Sequence, residues 1–362
     1  MLYFNFMQKL GLLILFFCAT QISAQFRSYS NEFLNIGVDA RAFGMGNAVV
    51  ANVSDVNSAY WNPAGLTQIG DRWQGAAMHA EYFQSIAKYD YMAAAIPLDN
   101  RNAIAVSLYR FGVDNILNTT ELIDNQGNID YDRISTFSAS DYALQMSFAG
   151  NFFRIEDVNF GLNAKLVYRN VGKFANAIGF GLDAGAQYRK GDFAAGVMVR
   201  DITSTFNVWS INEEELNQLD IDGVLLNEPP EETIELTLPK IQLGVSQKVH
   251  FSDKLTGLGE LDLNFRLRET NDLVGASGLS FSPAAGVEIG YDEMIFIRAG
   301  VNNFQRSESF DGDQEFQFQP NIGLGFKYHG ISIDYALTDI GDQSVALYSN
   351  IFSVKIDMAE FY

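Results

Sequence analysis

The sequence predicts an all-β fold: a transmembrane antiparallel β-barrel of about 14 strands, with an N-terminal plug or hatch segment ahead of them. Two observations carry this expectation. Segment after segment alternates apolar and polar residues with period two, which gives each strand one apolar and one polar face. The connections are short at one parity, and the long ones all fall at the other, as expected when the two ends of a barrel face different compartments.

In chain order, residues 1–24 read as a secretory signal peptide. Lys9 is their only charge, an apolar run follows from Leu10 to Phe17, and Ser23-Ala24 offers small residues for cleavage. The run is too short for a spanning helix. Cys18 is the only cysteine, and the bulky Phe17 before it suits a lipidation site poorly, so the mature chain owes nothing to disulfides. Without the leader, 23 basic residues face 44 acidic ones, a balance that repels phosphate backbones and argues against a nucleic-acid partner.

Residues 25–70 form the expected hatch. Its centre, GMGNAVVANVSDVNSAYWNPAGL from Gly44 to Leu66, is rich in residues small enough for close packing in a confined space. Gly44-Met45-Gly46 is not the start of a dinucleotide fingerprint. Val49 stands at the third glycine position, and no strand-helix-strand unit with a ribose-binding acid follows. Trp61-Asn62-Pro63-Ala64-Gly65 ends the segment, with Asn62-Pro63 fixing an extended or turned backbone. A surface turn leading into the first strand is the alternative.

Residues 71–362 carry the barrel, with strands expected near 72–83, 88–97, 102–111, 141–152, 158–169, 177–189, 193–201, 240–251, 257–268, 279–291, 294–301, 316–329, 331–338 and 345–358. The clearest is LDLNFRLR, where Leu261, Leu263, Phe265 and Leu267 share one face while Asp262, Asn264, Arg266 and Arg268 share the other. FQFQPNIGLGFKYH and VNFGLNAKLVYR repeat the pattern. Long connections are expected at 112–140, 202–239 and 302–315. A secreted sandwich would also alternate. Here, however, the polar faces carry Lys165, Arg169, Asp183, Asp262, Arg266, Glu288 and Lys327, as a water-filled or plugged lumen requires.

The stretch 201–239 contains ten acids and neither Lys nor Arg. It reads as a solvated outer loop or as a surface for a basic partner, with Trp209, Glu213, Glu214, Glu215, Glu231 and Glu232 the candidate contacts. Asp220-Ile221-Asp222-Gly223 lacks the other ligand positions of a calcium loop. Enzymatic chemistry is not expected. His79, His250 and His329 fall on three separate strands, and neither a zinc motif nor a nucleophile elbow is present. No metal or cofactor is expected.

Gly37 to Leu66 resembles the N-terminal signature of the PorV/PorQ family of outer-membrane proteins of Bacteroidota. That family is itself similar to the FadL-like transporters of hydrophobic compounds. The residues that match are Ala40-Arg41, Gly44-Met45-Gly46, the run around Asp55, and Trp61-Asn62-Pro63-Ala64-Gly65. The resemblance implies a fourteen-stranded barrel in the cell outer membrane, surrounded by its lipid, with the signature folded into the lumen. For PorV-like members it implies a part in type IX secretion: binding beside the large translocon barrel, receiving cargo by its C-terminal signal domains, and escorting it to surface attachment. For FadL-like members it implies transport of hydrophobic small molecules. A purely structural barrel is the third possibility.

Overall fold

A computed structural model describes residues 31–83, 85–123, 127–215, 219–221, 224–226, 233–276, 278–308, 314–338 and 349–361. The proposed leader, Glu231, Glu232 and the terminal Tyr362 lie outside the described residues.

The strands close into a 14-stave antiparallel barrel. We number the staves in chain order: β1 Gln74–Tyr82, β2 Ala87–Pro97, β3 Ala103–Asn118, β4 Ser135–Gly150, β5 Val158–Val171 and β6 Ala175–Lys190. Stave β7 has two segments, Phe193–Arg200 and Thr205–Ile211, and β8 has two, Ile234–Thr237 and Lys240–His250. Then come β9 Leu255–Arg266, β10 Leu279–Tyr291, β11 Ile295–Glu308, β12 Gln314–Tyr328, β13 Ile331–Thr338 and β14 Ser349–Asp357. Each stave pairs with its neighbours in sequence. The seam closes where β1 pairs with β14, from Gln74↔Asp357 to Glu81↔Asn350. Closure removes the free strand edges that an open sheet would expose.

The expected facing is observed. Leu261, Leu263, Phe316, Phe318, Leu324, Leu162 and Leu166 point outward and are exposed, whereas Asp262, Asp183 and Lys165 are buried inside. An exterior of Leu, Ile, Val and Phe cannot be left in water over a whole barrel, and hydrocarbon is its natural solvent. No helix among the described residues is long and apolar enough to cross a membrane.

Three expected connections are shorter than the sequence suggested. Stave β3 runs on to Asn118 and β4 starts at Ser135, while β11 and β12 extend to Glu308 and from Gln314. The stretch 201–239 is not one loop. Its ends, Thr205–Ile211 and Ile234–Thr237, pair with each other and carry the wall outward by a further turn of ladder. Asp201 and Ser204, with φ of 53° and 56°, interrupt β7 without ending it, and that break hid the second segment from a periodicity argument. Trp209 therefore belongs to the wall rather than to a presented loop, a correction to the outer-loop assignment.

Staves β10 and β11 pair only from Ala285↔Val301 down to Tyr291↔Ile295. Farther out they separate, and a short strand, Val274–Ala276, pairs with Leu279–Phe281 in the space. A bulge between Asn302 and Gln305 accompanies the separation, with Asn303 at φ 51°.

The N-terminal segment lies inside. It contains a 3-10 turn Glu32–Asn35, helices α1 Ala40–Gly44 and α2 Ser58–Trp61, and a second 3-10 turn Pro63–Gln68. The hydrophobic core is correspondingly lumenal: Val38, Phe43, Val49, Val56 and Leu66 of this segment pack with Tyr89, Tyr91 and Tyr109 of β2 and β3.

Candidate functional site

The site is the seat of the hatch together with the chamber on its outer side, the side carrying the long connections. Close approach comes first. Gly46 has φ +63°, and a Cβ there would lie 2.6 Å from the backbone nitrogen of Val301 and 3.1 Å from the carbonyl of Ala285. Gly44 faces Gly323, whose Cα would be 2.9 Å from an added Cβ. The wall answers with its own glycines. Gly286 and Gly300 abut Met45 and Gly46, Gly196 abuts Val50, and Gly161 abuts Pro63 and Ala64. Glycine is unfavourable inside a strand unless another backbone must come close, and here one does. Strand parity already puts glycines such as Gly323 on the polar, inward face, but their role as seats for the hatch backbone was not read from the sequence.

Asn62 is the hub of the signature. Its Nδ2 reaches the carbonyl of Val50 at 3.1 Å in the hatch, and those of Ala186 at 3.1 Å and Val197 at 3.3 Å in β6 and β7. Its Oδ1 accepts from the backbone N–H of Ala64 at 3.3 Å, which caps the turn that Pro63 begins. The Trp61 indole donates to the carbonyl of Val38 at 3.0 Å and so closes the hatch on itself. Gly65 packs beside Val53 and Ser58, where a side chain has no room. Gly44 and Gly46 thus lie against β10 to β12, whereas Asn62 and Pro63 lie against β5 to β7.

Charged side chains of the wall hold hatch groups all round the lumen. Asp262 accepts from Val49 and Val50 N–H at 3.1 and 3.2 Å, and Glu260 accepts from Ala51 N–H at 2.6 Å. Gln187 and Arg189 donate to hatch carbonyls, and Gln145 and Asn163 donate to that of Ala59. Arg41 of α1 bonds Glu288 at 3.0 Å, and Arg298 bridges Glu288 and Asp334 at 2.6 Å each. Asp55 pairs with Lys355 of β14. Arg200 donates to the carbonyl of Tyr60 at 2.9 Å and lies 4.1 Å over its ring. Hydrogen bonds to charged groups contribute roughly 1.5–3 kcal/mol each, so the seat is strong even if only some count in full.

One hatch carboxyl is held under strain of charge. Burial, with the nearby carboxylates Asp334 and Asp55, pushes Asp39 up to about 6, outweighing Lys355 and the bond from Ser353. Outward of the hatch, a chamber of about 450 Å³ is bounded below by Tyr60 and Trp61 and at the side by Arg200, Lys240, Asn302 and Asn303.

The other sequence candidates do not join this site. Trp209 sits on β7 with Arg169 5.2 Å from its ring, and Phe206 faces outward. Glu213 and Glu214 are exposed beyond the end of β7, while Glu215 pairs with Lys173. Lys327 pairs with Glu360 near the end of the chain.

A transmembrane barrel plugged by its own N-terminal segment is the class these features define. No protein-family model matches the chain, and neither does any curated protein. Among solved structures, it is similar to the toluene transporter TbuX of Ralstonia pickettii, with 10% identity and TM-score 0.53 over 89% of this chain and 98% of that one. It is likewise similar to the toluene transporter TodX of P. putida (11% identity, TM-score 0.51, covering 89% and 99%). The monoaromatic hydrocarbon channel CymD gives 12% identity and TM-score 0.51, covering 90% and 99%. At such identity the likeness is one of fold alone.

Proposed function

We propose that this chain is an outer-membrane barrel that works by binding at its outer end, escorting cargo proteins in type IX secretion and cell-surface attachment. The observation that carries the reading is the hatch seat. Wall carboxylates, amides and guanidinium groups grip the plug from β4 through β14, so the lumen acts as a fixed scaffold and recognition falls to the surface above it. The resemblance of Gly37 to Leu66 to the PorV/PorQ signature supports the same role. Its partners would then be the large translocon barrel and the C-terminal signal domains of cargo. The role is non-enzymatic, and export follows cleavage after Ala24.

A second reading, transport of hydrophobic small molecules, draws on the chamber above the hatch and on the toluene transporters that share the fold. The polar lining, with Arg200, Lys240 and several amides, suits a wholly apolar ligand poorly.

A mild-detergent pull-down of the tagged protein from its native outer membrane separates the two. Recovery of a very large barrel, or of secreted proteins sharing a C-terminal domain, is expected. Recovery of the protein alone with a bound apolar molecule would overturn the escort reading in favour of transport.

A further inference from the structure

The chamber above the hatch contains an arrangement of charge that its own residues do not balance. Lys240 begins the inner segment of β8, directly opposite Arg200 on β7 and directly opposite Arg266 on β9. All three line the chamber. Like charges placed cross-strand repel, and sheets ordinarily avoid the arrangement. Arg266 is compensated by Asp272, and Glu32, the other acid at this level, is taken by Arg268. Arg200 bonds only neutral groups, the Gln242 amide and the Tyr60 carbonyl. The Lys240 ammonium makes no ion pair or hydrogen bond among the described residues; the nearby carboxylates, Glu32 and Asp272, are paired with Arg268 and Arg266. In a chain with a formal charge of −20, a lumenal lysine without an ion pair, set between two guanidinium groups, is a seat for an anion.

The facing wall supplies donors of another kind. The β11 bulge turns Asn302 and Asn303 toward the chamber. Their Oδ1 atoms are occupied, accepting from Asn321 at 3.0 Å and Gln305 at 2.7 Å. Their Nδ2 groups are left to donate to whatever fills the space. The volume, about 450 Å³, falls within the range of small-molecule sites, about 300–1,000 Å³. The hatch contributes Tyr60 and Trp61 as an aromatic floor.

We propose that the chamber binds an anionic, polyhydroxylated small molecule, such as a sugar phosphate or a sugar acid. Its oxyanion sits on Lys240, with Arg200 and Arg266 at either side, and its hydroxyls accept from Asn302 and Asn303. The inference goes beyond the escort reading and holds whether the barrel handles protein or solute.

The test uses the full chain in detergent, with calorimetric titration and thermal unfolding as readouts. The probes are glucose 6-phosphate, glucose, inorganic phosphate and dodecyl phosphate. Glucose 6-phosphate is expected to bind saturably and raise Tm, phosphate to bind more weakly, and glucose to give no heat. Lys240→Gln should weaken glucose 6-phosphate at least tenfold, Asn303→Ala severalfold, and Lys240→Arg little. Lys240→Gln without ligand should unfold no lower than the parent, because it removes a repulsion, so loss of binding will not be loss of fold. Mass spectrometry of protein from the native membrane then assigns the source, a free sugar phosphate or the phosphorylated saccharide of a lipid. Equal binding by Lys240→Gln, absence of saturable binding by glucose 6-phosphate, or binding of dodecyl phosphate alone would overturn the proposal.

Discussion

Replacing Gly46 by alanine is the sharpest test of the hatch as a plug. The new Cβ would stand 2.6 Å from the Val301 nitrogen and 3.0 Å from the Gly300 carbonyl carbon, both backbone atoms of a paired strand that cannot turn aside. Ordinary contact requires the hatch to retreat by about 0.8 Å. Alanine at φ +63° adds about 1 kcal/mol of backbone cost, and overpacking about 1–3 kcal/mol. The same retreat lengthens the Val49 and Val50 bonds to Asp262, at 3.1 and 3.2 Å, beyond useful range. Together these weaken seating by about 2–5 kcal/mol, a shift of roughly 30- to 5,000-fold toward the unseated hatch. The assay is ion conductance in planar bilayers, with heat-modifiable electrophoretic mobility to show that the barrel is intact. Raised mean conductance with unchanged mobility is expected. Parental conductance from a correctly folded variant would refute the idea that close backbone approach at Gly46 keeps the lumen shut.

Four further outcomes are expected. Deleting residues 37–66 should leave a barrel that assembles and conducts freely; unchanged conductance would mean that something else closes the lumen. Asn62→Ala leaves the carbonyls of Val50, Ala186 and Val197 without its amide and should loosen the hatch by about 2–3 kcal/mol, read as faster hydrogen exchange of hatch amides while the strands keep theirs. Asp39 lies outside the strands and its carboxyl is raised to about 6, so the seated hatch binds a proton that the released one gives up. Its contribution therefore favours seating as pH falls from about 6 toward 4 and disfavours it above 6; conductance should drop across that window in the parent but not in Asp39→Asn. Removing residues 213–232, beyond the paired ends of β7 and β8, should spare folding and reduce the recovery of protein partners, whereas a cut extending into 205–211 should impair the wall itself.

The barrel was legible in the sequence because alternation reports the environment of each face, and a lipid exterior imposes it on stave after stave. LDLNFRLR and FQFQPNIGLGFKYH could be oriented residue by residue. The breaks were less visible. Asp201 and Ser204 interrupt β7 with positive φ, and the acids that follow look like loop, so the sequence reading puts Trp209 among the partner contacts of an outer loop although its ring lies in the wall by Arg169. The hatch motif could be read as a packing segment from its small residues. Its seat could not, since each anchor comes from a different stave: Asp262 from β9, Glu288 from β10, Lys355 from β14. Only the fold brings such pairs together. The unbalanced Lys240 was hidden for the same reason, because its neighbours Arg200 and Arg266 are far from it in sequence and adjacent only across the ladder.

The seam between β1 and β14 has a meaning for how the molecule is made. Stave β14, near the end of the chain, carries the Lys355 that grips Asp55 and the Ser353 hydroxyl that donates to Asp39 at 2.9 Å. Gln74, where the first stave begins, reaches both back to the hatch at Val56 and across to Asp357. The first described segment is thus bonded to the staves on both sides of the seam, and closing the cylinder brings the last of the hatch's partners into place. A chain truncated before β14 would lose the closing stave together with two of the groups that hold the hatch, Lys355 and Ser353, so the wall and its stopper share one joint.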